Sequence, residues 1–142
     1  MIAFDTNILV YAHRADNAFH SRARDVVRAS AEGSTPWGLL WPCLHEFVAI
    51  VTHPRIYKTP TPLAQALRQV RAWLTSPTAV VLGEEHGYWE CYERIAAAAR
   101  IQGAKLHDAR IAALAIFHRV GTLYTADRDF SRFAELNVNN PL

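Results

Sequence analysis

The chain has 142 residues, 51% hydrophobic and 20% charged, which is enough for one ordinary domain with its own core and too apolar for a disordered segment. No apolar run approaches the roughly 20 residues of a membrane span, and the opening Met1–Asn7 carries no basic segment before Asp5. Neither an anchor nor a signal peptide is expected, and a cytoplasmic location is. A formal charge of +2 is too small to mark a nucleic-acid binder by itself.

In chain order, Ile2–Phe4 is a short apolar run closed by the polar turn Asp5-Thr6-Asn7, which predicts a buried strand. Helices are expected over Ile8–His13 and His20–Glu32, and a second strand over Gly38–Trp41. Pro42 suits the first turn of a helix, which Leu44, Phe47, Val48 and Val51 continue at helical spacing. His53–Pro62 holds three prolines and is expected to be irregular. A helix resumes over Leu63–Leu74, with Pro77 beyond its end, and Ala79–Leu82 is a third strand. Helices are expected over His86–Ile101, stopped near Gly103, and over His107–Arg119, with Ile111, Leu114, Ala115 and His118 on the inward side. Thr122–Thr125 is the fourth strand. Strands alternating with helices, each strand a continuous apolar run, predict an α/β fold with a parallel sheet covered on both faces. No linker or internal repeat divides it, so residues 1–142 are read as one domain.

Topology then sorts the acids. In open parallel sheets, ligands bind beyond the carboxyl ends of the strands. Asp5 follows the first strand, Glu46 lies early in the helix after the second, and Asp127 follows the last. Asp108 starts a helix that feeds the last strand through a tight turn, so helix and strand run antiparallel and Asp108 reaches the same edge. Each acid alone has an ordinary explanation: Asp5 as a helix cap, Asp108 as a favourable charge at a helix start, Glu46 as a solvated helix residue, and Asp127 and Asp129 as turn formers. Together they are costly. Two like charges about 4 Å apart repel by roughly 1 kcal/mol in water and about 4 kcal/mol at an effective dielectric of 20. Oxygen ligands without histidine or cysteine favour Mg²⁺ or Mn²⁺ over zinc, ions that activate water against a phosphodiester.

Three stretches carry a family resemblance: Phe4-Asp5-Thr6-Asn7-Ile8-Leu9-Val10-Tyr11-Ala12, His107-Asp108-Ala109-Arg110-Ile111-Ala112-Ala113-Leu114-Ala115, and Thr125-Ala126-Asp127-Arg128-Asp129-Phe130. In order and spacing the chain resembles the PIN-domain endoribonucleases, in particular the VapC toxins of toxin–antitoxin pairs. Thr52–Tyr57 and Asn139–Leu142 are similar to a mycobacterial subgroup of them. The resemblance implies a three-layer α/β/α fold with a central parallel sheet of four or five strands, and RNA cleavage dependent on Mg²⁺ or Mn²⁺. It places Asp5, Glu46, Asp108 and Asp127 in the acidic quartet, with Glu46 the least cleanly matched. Metal ligation falls to Asp5, Asp108 and Asp127, with Asp129 auxiliary, and Thr6, Asn7 and Thr125 orient the quartet or its waters. Attack by water would leave a 5′-phosphate and a 3′-hydroxyl. A small VapB-type antitoxin and a homodimer are the partners implied besides RNA.

Arg14 and Arg128, near the acids in sequence, are candidates for phosphate contacts. With only Lys58 and Lys105 as lysines, 13 of the 15 basic residues are arginine, whose planar fork suits phosphate oxygens, although a G+C-rich genome gives the same bias. Other chemistries find less support. His45-Glu46 lacks the second histidine of a zinc-protease helix, since Ala49 stands there, and no Gly-rich phosphate loop precedes Lys105. A haloacid-dehalogenase-type phosphohydrolase needs a second aspartate where Asn7 stands. A non-catalytic PIN-fold binding module is the rival of a different class. Trp37, Trp41, Trp73 and Trp89 are expected in core or interface packing, with base stacking as the alternative. Cys43 and Cys91 have no metal-ligand spacing; they suit a reducing compartment but leave a single disulfide open.

Overall fold

The computed structural model describes residues 1–142. Five strands form one sheet: β1 (Ile2–Phe4), β2 (Trp37–Leu40), β3 (Ala79–Leu82), β4 (Thr122–Tyr124) and β5 (Val138–Asn139). Their order is β3-β2-β1-β4-β5, and every neighbouring pair is parallel. Six helices connect them: α1 (Thr6–His13), α2 (His20–Glu32), α3 (Trp41–Val51), α4 (Leu63–Leu74), α5 (Tyr88–Ala99) and α6 (Leu106–Phe117).

The chain steps outward from β1 to β2 to β3 and then returns to β4 on the other side of β1. Right-handed crossovers therefore put α1–α4 on one face of the sheet and α5–α6 on the other, a three-layer α/β/α arrangement. The expected four or five strands are five. β5 has no apolar run of its own; it is held by pairing of Leu123 with Val138 and Tyr124 with Asn139.

Burial follows the layering. Phe4, Leu39, Leu40 and Leu123 in the strands are fully buried, as are Ile8 and Leu9 of α1, Phe47 of α3 and Ala112–Ala115 of α6. Aromatic rings pack within the layers: Phe4 meets Trp37 edge-on between neighbouring strands at 5.7 Å, and Phe47 of α3 meets Trp73 of α4 at 4.8 Å. The tryptophans divide. Trp37 and Trp73 are buried in the core, whereas Trp41 and Trp89 are exposed. Cys43 and Cys91 are free thiols. No helix is long and apolar enough to cross a membrane.

Element ends differ from expectation where caps decide them. α1 starts at Thr6 rather than Ile8 because Asp5 caps it, accepting from the Thr6 N–H. The second strand ends at Leu40, and Trp41 already belongs to α3, with Pro42 in its first turn. Gly87 (φ 87) delays α5 to Tyr88. Arg100 (φ 53) ends α5 before Ile101. The segment Gly103–Lys105 is a 3₁₀ turn leading directly into α6. The reversal of strand order between β1 and β4 is the point that matters for function: Asp5 leaves one of these strands, and Asp127 follows the other.

Candidate functional site

Asp5 stands directly after β1, at this switch point, and its carboxylate is only 4% exposed. Three donors hold it. The Thr6 N–H donates to Oδ1 at 2.7 Å, and both Asn7 Nδ2 and Thr125 Oγ1 donate to Oδ2 at 2.7 Å. Thr125 follows β4 directly, and its hydroxyl also accepts from Asn7 Nδ2 (3.1 Å) and the Asp127 N–H (3.0 Å). Asn7 Oδ1 in turn accepts from the Ala126 N–H at 3.1 Å. The ends of β1 and β4 are thus stitched together by three short polar side chains, with every donor and acceptor of the Thr125 hydroxyl used.

Asp127 is held by the next turn. Its Oδ1 accepts from the Asp129 N–H at 2.8 Å and caps the 3₁₀ turn Arg128–Arg132. Asp108 arrives from the opposite side, in the first turn of α6. The carboxylates of Asp108, Asp127 and Asp129 present oxygens that all lie within 4.8 Å of one another. Asp5 is outside that trio and is linked to it through Thr125, whose hydroxyl donates to Asp5 and accepts from the Asp127 N–H. Glu46 is exposed on α3 and tied in by Thr6, whose Oγ1 donates to Oε2 at 2.7 Å.

The electrostatics record the crowding. Burial pushes Asp5 from 3.8 up to about 6; the hydrogen bonds from Thr125 and Thr6 pull it down, and Glu46 and Asp108 push it further up. Asp108 is raised by burial and by Asp127, against the pull of Lys105. Asp129 is lowered, because the Lys105 ammonium sits on it. Lys105 also approaches Asp108 Oδ2 at 3.9 Å. Lys105 is the participant that sequence reasoning missed, and its i, i+3 spacing to Asp108 was the available signal.

The two candidate arginines part company. Arg128 is exposed and lies between Asp127 and Asp129 on the rim. Arg14 is not brought to the acids. It follows α1 at the end opposite Asp5, roughly 12 Å along an eight-residue helix, where it pairs with Asp16, donates to the Thr59 carbonyl at 3.0 Å and stacks over Tyr57 at 3.9 Å. Closeness in sequence misled here because a helix carries its two ends apart.

Residues 2–136 match the PIN domain family. The chain is a PIN domain. It is 34% identical over 142 residues to ribonuclease VapC43 of Mycobacterium tuberculosis, covering 100% of this chain and 96% of that protein. With ribonuclease VapC48 of the same organism it shares 30% identity over 138 residues, 97% of this chain and 95% of the relative. Among solved structures, the fold is similar to that of VapBC2 from Rickettsia felis bound to a promoter DNA fragment, with a TM-score of 0.72, 21% identity, and coverage of 99% and 98%. It is also similar to VapC20 of M. tuberculosis, a sarcin–ricin loop cleaving toxin, with a TM-score of 0.67, 18% identity, and coverage of 96% and 99%. The chain is therefore a PIN domain of the VapC type.

The donor set of this PIN domain is chemically consistent with a hard divalent cation. The clustered ligands are carboxylate oxygens, with no thiol or imidazole among them. Family and acidic trio together support metal-dependent nuclease chemistry.

Proposed function

We propose that this PIN domain is an Mg²⁺- or Mn²⁺-dependent endoribonuclease acting as the toxin of a VapBC-type pair. The observation that carries the reading is the meeting of Asp108, Asp127 and Asp129 within 4.8 Å, beside a buried Asp5, at the switch point of a parallel sheet. A bound divalent cation would activate water and neutralise charge on the leaving oxygen.

The chain's own residues set the geometry for that chemistry. Asp5, Asp108 and Asp127 form the ligand set, with Asp129 adjoining it. Thr125 and Asn7 lock the Asp5 carboxylate, so its direction is fixed before any ligand arrives. Such pre-organisation is worth much in a site where a small displacement costs rate. Thr6 occupies Glu46 Oε2, which leaves Oε1 to orient a water and take its proton. Lys105 pairs with Asp129 at the edge of the acidic cluster and is a ready partner for a phosphate there. Arg128 is placed for a phosphate contact on the rim; Arg14 is left out of the site.

A small VapB-type antitoxin covering the acidic rim, and a homodimer, complete the proposal. Sequence similarity to the VapC ribonucleases and fold similarity to VapBC2 support the first. No observation favours a phosphohydrolase, since the second aspartate that chemistry needs is Asn7, bonded to Asp5. Nor is any of the four acids replaced, as a non-catalytic module would allow. The test is a Mn²⁺ titration followed by paramagnetic resonance, run beside cleavage of total RNA, for wild type and Asp127→Asn. Mn²⁺ binding and cleavage should be lost together in the variant, whose free-ion resonance stays high, while its circular dichroism is retained. Undiminished cleavage in EDTA would overturn the reading.

A further inference from the structure

We propose that the cleft between the start of α5 and the start of α6 takes an unpaired nucleobase of the RNA strand, stacked on Trp89. The inference rests on the nuclease reading above and deepens it by naming a substrate subsite. Trp89 is 61% exposed, the most exposed of the large hydrophobic side chains. Its ring lies 5.2 Å from that of Tyr92, tilted by 38°, and Tyr92 lies 6.1 Å from Tyr88. Three rings therefore line the first turns of one helix, and the outermost faces water. Tyr88 is buried and Tyr92 half-buried, so the two rings brace the exposed Trp89 and leave its face open at the mouth of a cleft.

The cleft beside these rings has a volume of about 450 Å³ and is also lined by Glu84, His107 and Arg110, a size within the roughly 300–1,000 Å³ of small-ligand clefts. Arg110 is held in place by an ion pair with Glu84. His107 and Arg110 are one turn apart on α6 and share this side of the helix. Asp108, between them in sequence, points instead to Asp127 and Asp129. One helical turn thus presents a carboxylate to the acidic site and a cation and an imidazole to the aromatic cleft. A strand leaving the acids by way of Lys105 would reach the rings next. Flat rings with donors and an acceptor at their margin match a base, which has a π-face for stacking and a hydrogen-bonding edge. The concave, molecule-sized shape suits one base better than the broad flat patch, about 800 Å² per partner, that a stable protein interface buries.

The probe is a short fluorescein-labelled single-stranded RNA, titrated with protein in EDTA so that binding is read without turnover. Trp89→Ala should weaken binding roughly 5- to 150-fold, the range for loss of one stacked base, and Trp89→Phe should keep most of the affinity. The same RNA made abasic throughout should bind wild type and Trp89→Ala alike. Because Trp89 is exposed, thermal melting should be unchanged in both variants. Equal binding by wild type and Trp89→Ala would overturn the subsite, as would absence of RNA binding by wild type. An altered sedimentation coefficient with unaltered RNA affinity would also overturn it, assigning Trp89 to a second copy of the chain. The two readings fail separately. RNA cleavage by Trp89→Ala at the wild-type KM removes the stacking subsite alone, whereas Trp89-dependent binding without any cleavage in Mg²⁺ removes the nuclease alone.

Discussion

Replacing Asp5 by Asn should make the metal-free protein relatively more stable as pH rises. Asp5 is raised from 3.8 to about 6 in the fold, chiefly by burial. Between those values the folded chain binds a proton that the unfolded chain releases, so folding stability falls as pH rises through the interval. The whole change corresponds to about 3 kcal/mol. Most of it, about 2 kcal/mol, lies between pH 4 and pH 7. Other groups contribute with the opposite sign: Glu84 and Asp129, lowered by Arg110 and Lys105, act below their ordinary carboxylate values, and His13, lowered chiefly by burial, acts nearer neutrality. Comparison with Asp5→Asn cancels them, because the variant keeps those groups and lacks only the Asp5 charge. The assay is urea unfolding of both proteins in EDTA at pH 4 and pH 7. The wild type should lose about 2 kcal/mol relative to the variant between the two. Added Mn²⁺ should restore it to wild type alone, since a ligand stabilises only the state that binds it. A stability difference independent of pH would refute the argument that burial of an ionised Asp5 destabilises the metal-free protein.

Two further outcomes follow from the same network. Thr125→Val keeps the side chain's shape but removes the donor to Asp5 and the acceptor for Asn7 and the Asp127 N–H. It should cost roughly 2–4 kcal/mol in urea unfolding and move the acid limb of the cleavage pH profile upward, because the Thr125 bond is the largest influence holding the Asp5 carboxyl down. Lys105→Met removes the cation that occupies Asp129 and approaches Asp108. Mn²⁺ should then bind a few-fold more tightly by calorimetry, and weaker binding would show that Lys105 assists the metal rather than standing in for it.

The parts of the fold legible in the sequence were those with a physical period or a hard stop. Apolar runs marked β1 to β4, and helical spacing marked α3 and α6, whose Leu44, Phe47 and Val51 and Ile111, Leu114 and Ala115 are buried in the core. β5 escaped because Val138–Asn139 is short and half polar; it exists through its pairing with β4, a tertiary cause. The convergence of acids on one rim was legible from topology alone, since chain direction decides which end of a helix meets which end of a strand. What topology could not rank was the grouping among the acids. Asp129 joins the tight trio because a 3₁₀ turn capped by Asp127 folds it back, whereas Asp5 lies outside the trio, held by three donors with an acceptor position left on Oδ1. Asp5 is at once the helix cap and the buried carboxylate at the switch point, so its two readings were never exclusive. Arg14 shows the converse, since its closeness to Asp5 along the chain said nothing about which end of α1 it would occupy.

The claim that the acids direct hydrolysis of RNA is tested most directly by the chemistry of the cut ends. RNA fragments produced by the purified protein in Mg²⁺ would be mapped for terminal groups, with Asp108→Ala as the control. The account predicts 5′-phosphate and 3′-hydroxyl ends that vanish in the variant and in EDTA. Fragments ending in a 2′,3′-cyclic phosphate, or cleavage that survives loss of Asp108, would contradict it.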